Sequence, residues 1–436
     1  MTRIVFWNLL KFTMKRINDP KNVAASAAAL NNILNVFKKN TPDIFALIEL
    51  PCGKGGKQGE LVGKGSAYQG ALQLLKQLNA LPGAPVWDLV PPIVTGAGGR
   101  REGIVVFFNK NTVQFQGPWK FDGTTTRDPT SPLPPGGWKD YSATHWKIPG
   151  GTTVKKWGGQ WEFIKTGKKG EILEFPTAGE RRPWLTRFQE LKGGKRTIDV
   201  IAFHAPFTQA SPVNAAISLI GTSSIAPPFN TPMAVDVCVL GGDFNVDAND
   251  NTKRAEAYGP LMVAPKKAMR TKKSTPGGNF TGNFLTPITP PGVKTVYAKT
   301  SLKAVKTASI KGGDYPDYDY ASSSYDQIFI RYKTPGAAKG EMDINEIAGA
   351  YIKKAGPLAG GGLPAYGYAA ALPSAKAAKK GYTYAPGMQD SIKTIFIKKV
   401  KGVLLDSTQK DALFRQVNNY GFVRRTSDHM GVIIDV

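Results

Sequence analysis

Short apolar runs rich in Val, Ile and Phe recur along the whole chain, at residues 4–7, 44–48, 104–108, 198–203, 235–240, 327–330, 394–397 and 431–434. Runs this short and this β-branched read as strands buried in a sheet. A different spacing follows the first run. Across 21–39, Val23, Ala27, Leu30, Leu34 and Phe37 recur three or four residues apart and predict a helix facing a core with that stripe. A second helix is predicted over 66–78 with Leu72 and Leu75 inward, and a third over 409–419, stopped by Gly421. Strands alternating with a few helices predict an α/β protein of packed layers, and no internal repeat points to an array.

Four stretches rich in Gly, Pro and Lys break this alternation, at about 51–65, 117–170, 250–313 and 333–386. Core-like runs continue on both sides of each. They are therefore expected to be insertions in a single domain spanning 1–436 rather than linkers between domains.

Charge adds a partner to this picture. The chain of 436 residues carries 57 Lys or Arg against 32 Asp or Glu, a formal charge of +25 at pH 7. Such an excess acts at a distance on polyanions, so nucleic acid or an anionic membrane is favoured over an indifferent solvated surface. Cys52 lies in a Gly/Lys-rich stretch and Cys238 in an apolar run, which predicts no disulfide framework. No run is long and apolar enough to cross a bilayer, and the strand-like residues 4–7 leave no room for a cleaved leader. The expectation is a cytoplasmic protein, or one exported without a leader.

The residues able to do chemistry sit at the ends of the runs. Asn8 follows the first, Glu49 the second and His204 the run at 198–203, while Asp243 and Asn245 follow the run at 235–240 in Gly-Gly-Asp-Phe-Asn. Asp326 opens a run instead, and Asp428 and His429 precede the last. If the final strands run opposite to the others, all these groups meet on one rim. Carboxylates beside imidazoles and an amide, with no cysteine cluster, suit a hard oxygen-seeking cation such as Mg²⁺ rather than structural zinc. Taken singly, each of these residues is more often a turn, a helix cap or a solvated strand end.

Taken together and in this order, six motifs resemble those of the endonuclease/exonuclease/phosphatase superfamily, the DNase I-like proteins. They are Trp7-Asn8-Leu9, the segment from Asp43 to Glu49, Ala202-Phe203-His204, Gly242-Asp243-Phe244-Asn245, Tyr325-Asp326 and Ser427-Asp428-His429. Of three histidines, two fall where that family requires them, and His145 is left with a structural or surface role. The resemblance implies a four-layer αββα sandwich of two packed mixed β-sheets flanked by helices, and a divalent-metal-dependent phosphodiesterase. It leaves the four insertions unexplained.

The resemblance also implies roles. Glu49 resembles the principal metal ligand, with Asn8 and Asp428 completing the metal and water shell. Asp243 resembles the group that orients and deprotonates the attacking water, or else a ligand of a second metal, and Asn245 would hold the water or a phosphate oxygen. His429 resembles the histidine that contacts the phosphate in general acid/base chemistry, its tautomer set by Asp326. His204 would contact the phosphate from the other side. Glu102, within Arg100-Arg101-Glu102, falls where DNase I-like members place that histidine's carboxylate partner, which favours an imidazolium. Mg²⁺ is the implied cofactor, with Mn²⁺ or Ca²⁺ as alternatives.

Relatives of this kind cleave DNA, RNA, phosphoinositides and sphingomyelin, so substrate rests on charge. The +25 balance and basic runs at 266–267, 270–273, 398–399 and 424–425 favour a long phosphate backbone, DNA ahead of RNA. Arg100, Arg101, Arg424 and Arg425 are the expected phosphate contacts. Trp119, Trp138, Trp146, Trp157 and Trp161 crowd the 117–170 stretch, several beside lysine. They are read as the core of a β-rich insertion, with base stacking as the alternative. The competing functions are a phosphoinositide phosphatase or sphingomyelinase-like phosphodiesterase and a non-catalytic nucleic-acid-binding protein, the latter disfavoured by the full residue set. A toxin held by an acidic inhibitor or immunity partner is a third context, and no motif encodes an oligomeric state.

Overall fold

The computed structural model describes residues 1–52, 65–83, 85–96, 98–117, 183–205, 235–250, 322–333 and 426–436, with short pieces between them. The strand expected at 394–397, the helix at 409–419, Arg425, Trp146, Trp157, Trp161, His145 and the basic runs at 266–267, 270–273 and 398–399 lie outside the described residues.

The apolar runs build two mixed sheets. The first runs in the order β16 (Met342–Ile344), β17 (Val432–Asp435), β1 (Arg3–Asn8), β2 (Ile44–Pro51), β4 (Glu102–Asn109) and β3 (Trp87–Thr95). The second runs β15 (Asp326–Tyr332), β12 (Val237–Asp243), β11 (Thr197–His204), β10 (Trp184–Glu190) and β5 (Val113–Gly117). Three two-stranded pieces stand apart: β6 (Trp119–Phe121) with β7 (Trp138–Asp140), β8 (Phe163–Ile164) with β9 (Ile172–Leu173), and β13 (Ser309–Lys311) with β14 (Asp317–Asp319). Trp119 and Trp138 thus lie on paired strands within the segment expected to be β-rich.

Successive side chains of a strand alternate between faces, and here the inward positions of both sheets mesh into one core. Ile4 and Phe6 of β1, Ile104 and Val106 of β4, Val200 and Ala202 of β11, Val239 of β12 and Ile328 and Ile330 of β15 belong to it. On the outer face of the first sheet, Val5, Trp7, Phe45, Leu47, Leu89 and Phe107 pack under α1 (Met14–Ile17), α2 (Val23–Asn40) and α3 (Ser66–Asn79). Phe37 of α2 anchors this layer, its ring 4.6 Å from Phe45 and 5.0 Å, edge-on, from Trp87. The outer face of the second sheet carries an aromatic cluster in which Phe244 sits 5.5 Å from Phe203 and 5.2 Å from Phe329.

Two expectations need correction. Leu34 and Phe37 of the expected α2 stripe are buried and Leu30 packs against the core, but the buried face also takes Ala25, Ala28, Ala29, Ile33 and Val36, and Val23 is 66% exposed. A run of alanines gives no hydrophobic contrast, so the larger residues misplace the stripe, while the small ones let the helix lie close on the sheet. β3 was not anticipated, and it contains Pro91-Pro92, residues that strands disfavour. As the edge strand of its sheet, with a bulge between Val90 and Ile93, it tolerates both prolines.

Candidate active site

The inter-sheet core ends in chemistry. Following each inward stripe to the same rim, Ile4-Phe6 arrives at Asn8, Val106-Ile104 at Glu102, Val200-Ala202 at His204, Val239-Gly241 at Asp243 and Ile330-Ile328 at Asp326. β11 and β12 are parallel with His204 opposite Asp243, and β15 is antiparallel to β12 with Asp326 opposite Asp243. Register alone therefore places these three side by side. β17 is antiparallel to β1, which returns His429 to the same rim. The final strands do run opposite to their neighbours.

Gly241 and Gly242 make this convergence sterically attainable. A Cβ on Gly241 would lie 2.5 Å from the Phe6 ring, so the glycine lets the two sheets close. Gly242 has φ 141°, and a Cβ there would meet the Phe203 carbonyl oxygen at 2.0 Å. The turn after β12 is tied by Asn245, at φ 52°, a region asparagine tolerates better than most residues. Its backbone N–H donates to Asp243 Oδ1 at 2.9 Å and its side-chain amide donates to the Ala205 carbonyl at 2.7 Å.

The central group is Asp243 Oδ2. It accepts from Asn8 Nδ2 at 3.1 Å and lies 3.5 Å from Nε2 of both His204 and His429. Each imidazole is backed by a second carboxylate, His204 Nδ1 by Glu102 at 2.7 Å and His429 Nδ1 by Asp326 at 2.7 Å. The result is an alternating array: Glu102, His204, Asp243, His429, Asp326. Burial by itself pushes His429 down, but Asp326 and Asp243, with Glu49 adding to them, lift it to about 9. His204 is raised too, burial and then Arg181 opposing, Glu102 and Asp243 prevailing. Burial pushes Asp243 up, yet the two imidazoles, the Asn245 N–H and the Asn8 amide together hold it below its ordinary value. Asp326 moves up, burial outweighing its bond to His429. The arrangement thereby favours the cationic form of both imidazoles and the ionised form of the carboxylate between them.

Several supports escape sequence reasoning. Arg181 Nε lies 3.1 Å from Glu102 Oε2, so the buried carboxylate is shared between a guanidinium and an imidazole. The sole signal for it was the principle that a buried carboxylate needs full compensation. Thr300 Oγ1 accepts the Asp326 N–H at 2.9 Å, Trp7 Nε1 donates to the His429 carbonyl at 2.8 Å, and Ser427 Oγ donates to the Asn8 carbonyl while accepting the His429 N–H.

Asn8 has its Oδ1 occupied by the Leu10 N–H at 2.9 Å and turns its NH₂ to Asp243. It thus orients Asp243 on the rim where it was expected to complete or support a metal and water shell. Arg424, expected on phosphate, is ion-paired to Asp428 Oδ2 at 3.1 Å in an i,i+4 pair. Arg101 lies beside the rim with Nε donating to the Gly98 carbonyl at 3.0 Å, and Arg100 belongs to the same short 3₁₀ turn, Gly98–Arg100.

A divalent cation fits this rim. Asp428 Oδ1 is buried without a hydrogen-bond partner, with His429 Nε2 4.0 Å away. A buried carboxylate oxygen lacking a donor is costly unless something positive completes it. Asp243, Asp326 and His429 also bring three ligand atoms within 4.8 Å of one another. In that trio, however, both His429 nitrogens already face carboxylates, so a proton compensates the charge there. Glu49 and Asp428, carboxylates near the same rim, could hold a cation instead. Glu49 is half-buried at the end of β2, held at φ 70° where β2 bulges against β4.

The model of the Endonuclease/Exonuclease/phosphatase family matches residues 5–337, a span holding Asn8, Glu49, Glu102, His204, Asp243, Asn245 and Asp326. The chain belongs to that family. It is therefore a divalent-metal-dependent phosphoesterase with the DNase I-like α/β sandwich. No curated protein matches the sequence. Solved structures of similar shape include D. rerio TDP2 complexed with single-strand DNA product, at 11% identity over 79% of this chain and 89% of that one, TM-score 0.36. An endonuclease/exonuclease/phosphatase family protein from Bacteroides thetaiotaomicron is 10% identical over 76% and 81%, TM-score 0.36. A mannosyl-6-phosphatase from the same species is 10% identical over 79% and 88%, TM-score 0.35. Among the described residues no helix is long and apolar enough to cross a membrane.

Proposed function

We propose that the chain is a Mg²⁺-dependent nuclease that hydrolyses phosphodiester bonds of nucleic acid, DNA in preference to RNA, on a single domain bearing four insertions. The observation that carries this reading is Asp243 Oδ2 standing 3.5 Å from the Nε2 atoms of two carboxylate-backed histidines. Two imidazolium N–H groups converging on one point suit the non-bridging oxygens of a phosphate whose negative charge grows in the transition state. Asp243 lies between them, ionised and fixed by Asn8 and Asn245, and would orient the attacking water and accept its proton. His429, its Nδ1 proton held by Asp326, would stabilise or protonate the departing oxygen from Nε2. Glu49 and Asp428 would hold the cation, which when bound supplies Lewis-acid neutralisation of phosphate charge.

The preference for a polyanion rests on the formal charge of +25, which favours repeated phosphates over a single headgroup. The test is incubation of the protein with supercoiled plasmid, single-stranded DNA, RNA and phosphoinositide, each with Mg²⁺, Mn²⁺ or chelator, beside His204→Ala. Metal-dependent plasmid nicking that His204→Ala abolishes is expected. Turnover of phosphoinositide alone would overturn the nuclease reading while keeping the phosphoesterase one.

A further inference from the structure

The loop leaving the rim at Asn8 is held where side chains resist being. Leu10 and Lys11 are consecutive non-glycine residues at φ 42° and 52°. In this left-handed region Cβ crowds the following carbonyl, and neither residue has the short polar side chain that eases it. The conformation is imposed by bonds to the site itself. Leu9 N–H donates to the Ile48 carbonyl at 3.3 Å, Leu10 N–H to Asn8 Oδ1 at 2.9 Å and Phe12 N–H to the Glu49 carbonyl at 3.0 Å, while the Arg16 guanidinium donates to the Leu10 carbonyl. Leu9 and Phe12 are fully buried on either side, yet Lys11 between them is exposed.

The strained loop thus seats one exposed cation a single peptide bond from the contact with Glu49. Backbone strain that so many bonds maintain is characteristic of functional segments. Lys15 of α1, four residues on, is exposed as well and extends the positive charge along the same segment.

We propose that the segment 9–16 is an interaction surface for a sugar-phosphate backbone, with Lys11 contacting a phosphate neighbouring the scissile one. This rests on the nucleic-acid reading above. The experiment measures binding of a fluorescein-labelled DNA duplex to the full chain in EDTA by anisotropy over a series of NaCl concentrations, with metal-dependent cutting of the same duplex followed in parallel. Lys11→Gln removes the charge and keeps the strain; Lys11→Gly removes the charge and relieves the strain, since glycine accepts positive φ. Lys110→Gln is the control, an exposed lysine just past the far end of β4, on the opposite rim.

Loss of one phosphate contact should make the slope of log affinity against log salt shallower by about 0.9 in both Lys11 variants, with Lys11→Arg restoring it. Lys110→Gln should leave the slope unchanged. Lys11→Gly should also melt no lower than wild type, so a weakened affinity there cannot come from misfolding. Unaltered slopes in Lys11→Gln and Lys11→Gly, or an equal change in Lys110→Gln, overturn the inference while binding and cutting by the wild type sustain the nuclease reading. A wild type that neither binds nor cuts nucleic acid sinks both.

Discussion

Replacing Asp326 by Asn isolates the electrostatic work of one buried carboxylate. In the folded protein His429 titrates at about 9, against ~6.5 in an unfolded chain. The folded state therefore binds this proton more tightly, so its stabilisation is fully present below pH ~6.5 and is lost as pH rises through ~9. The difference of ~2.5 units at ~1.4 kcal/mol each amounts to about 3 kcal/mol. Solvent screening takes little from that, because the His429 side chain is 11% exposed and that of Asp326 2%. His204, also raised, acts in the same direction. Asp243 does not enter this window: being held low, it contributes above ~3.9 and is lost only in acid.

Urea unfolding in EDTA should accordingly show the wild type losing about 3 kcal/mol between pH 6.5 and 9 on account of His429. Asp326→Asn keeps the side-chain shape and the backbone N–H bond to Thr300, and leaves Asp243, at 3.5 Å, and the weaker pull of Glu49 to hold the imidazolium. The pH-dependent loss should fall by roughly half or more in the variant. An Asp326→Asn protein with the same pH slope as wild type would refute the assignment of the raised histidine pKa to this pair.

The remaining predictions address the other half of the array, the turn and the cation. Glu102→Gln removes the larger upward pull on His204, so the alkaline limb of the pH–rate profile should move down and kcat/KM should fall by about 10²-fold or more. A merely structural Glu102 would leave the limb in place. Gly242→Ala should cost about 3 kcal/mol or more in urea unfolding, because its Cβ would sit 2.0 Å from the Phe203 carbonyl oxygen at φ 141°. A loss within about 0.5 kcal/mol would contradict that geometry. Glu49→Gln and Asp428→Asn should each weaken Mn²⁺ binding, read by calorimetry, at least about tenfold. The metal-free Asp428→Asn protein should lose no more than about 1 kcal/mol in urea unfolding, the most a partly exposed i,i+4 pair with Arg424 is worth.

How much of this was legible beforehand follows from what a period of two can and cannot carry. The strand ends that bear Asn8, His204, Asp243 and Asp326 were readable because the first three close an apolar run and the last opens one, and the same periodicity that buries Val200 and Ala202 turns His204 onto the inner face. Where polar residues are buried by pairing, the signal fails. β10 was missed because Arg187 interrupts its pattern, yet that guanidinium lies on a fully buried Asp199 at 2.7 Å, so the strand is as interior as its neighbours. Arg181 was invisible for the same reason: its partner, Glu102, is fixed only once β4 and β10 belong to facing sheets.

Arg424 shows a pairing that the spacing carried and the reading passed over. Its i,i+4 spacing to Asp428 was on the page and the ion pair forms, while proximity to the Ser-Asp-His motif drew attention to phosphate alone. The site is best understood as what the inter-sheet core becomes one residue past its last hydrophobic layer. There the facing stripes no longer have apolar partners, Gly241 and Gly242 allow the sheets to stay close, and the charges that replace hydrocarbon must compensate one another pairwise. Alternating carboxylates and imidazoles satisfy that demand within the array, and beside it Asp428 Oδ1 is left buried without a donor, which is the ground for proposing it as a ligand of the cation.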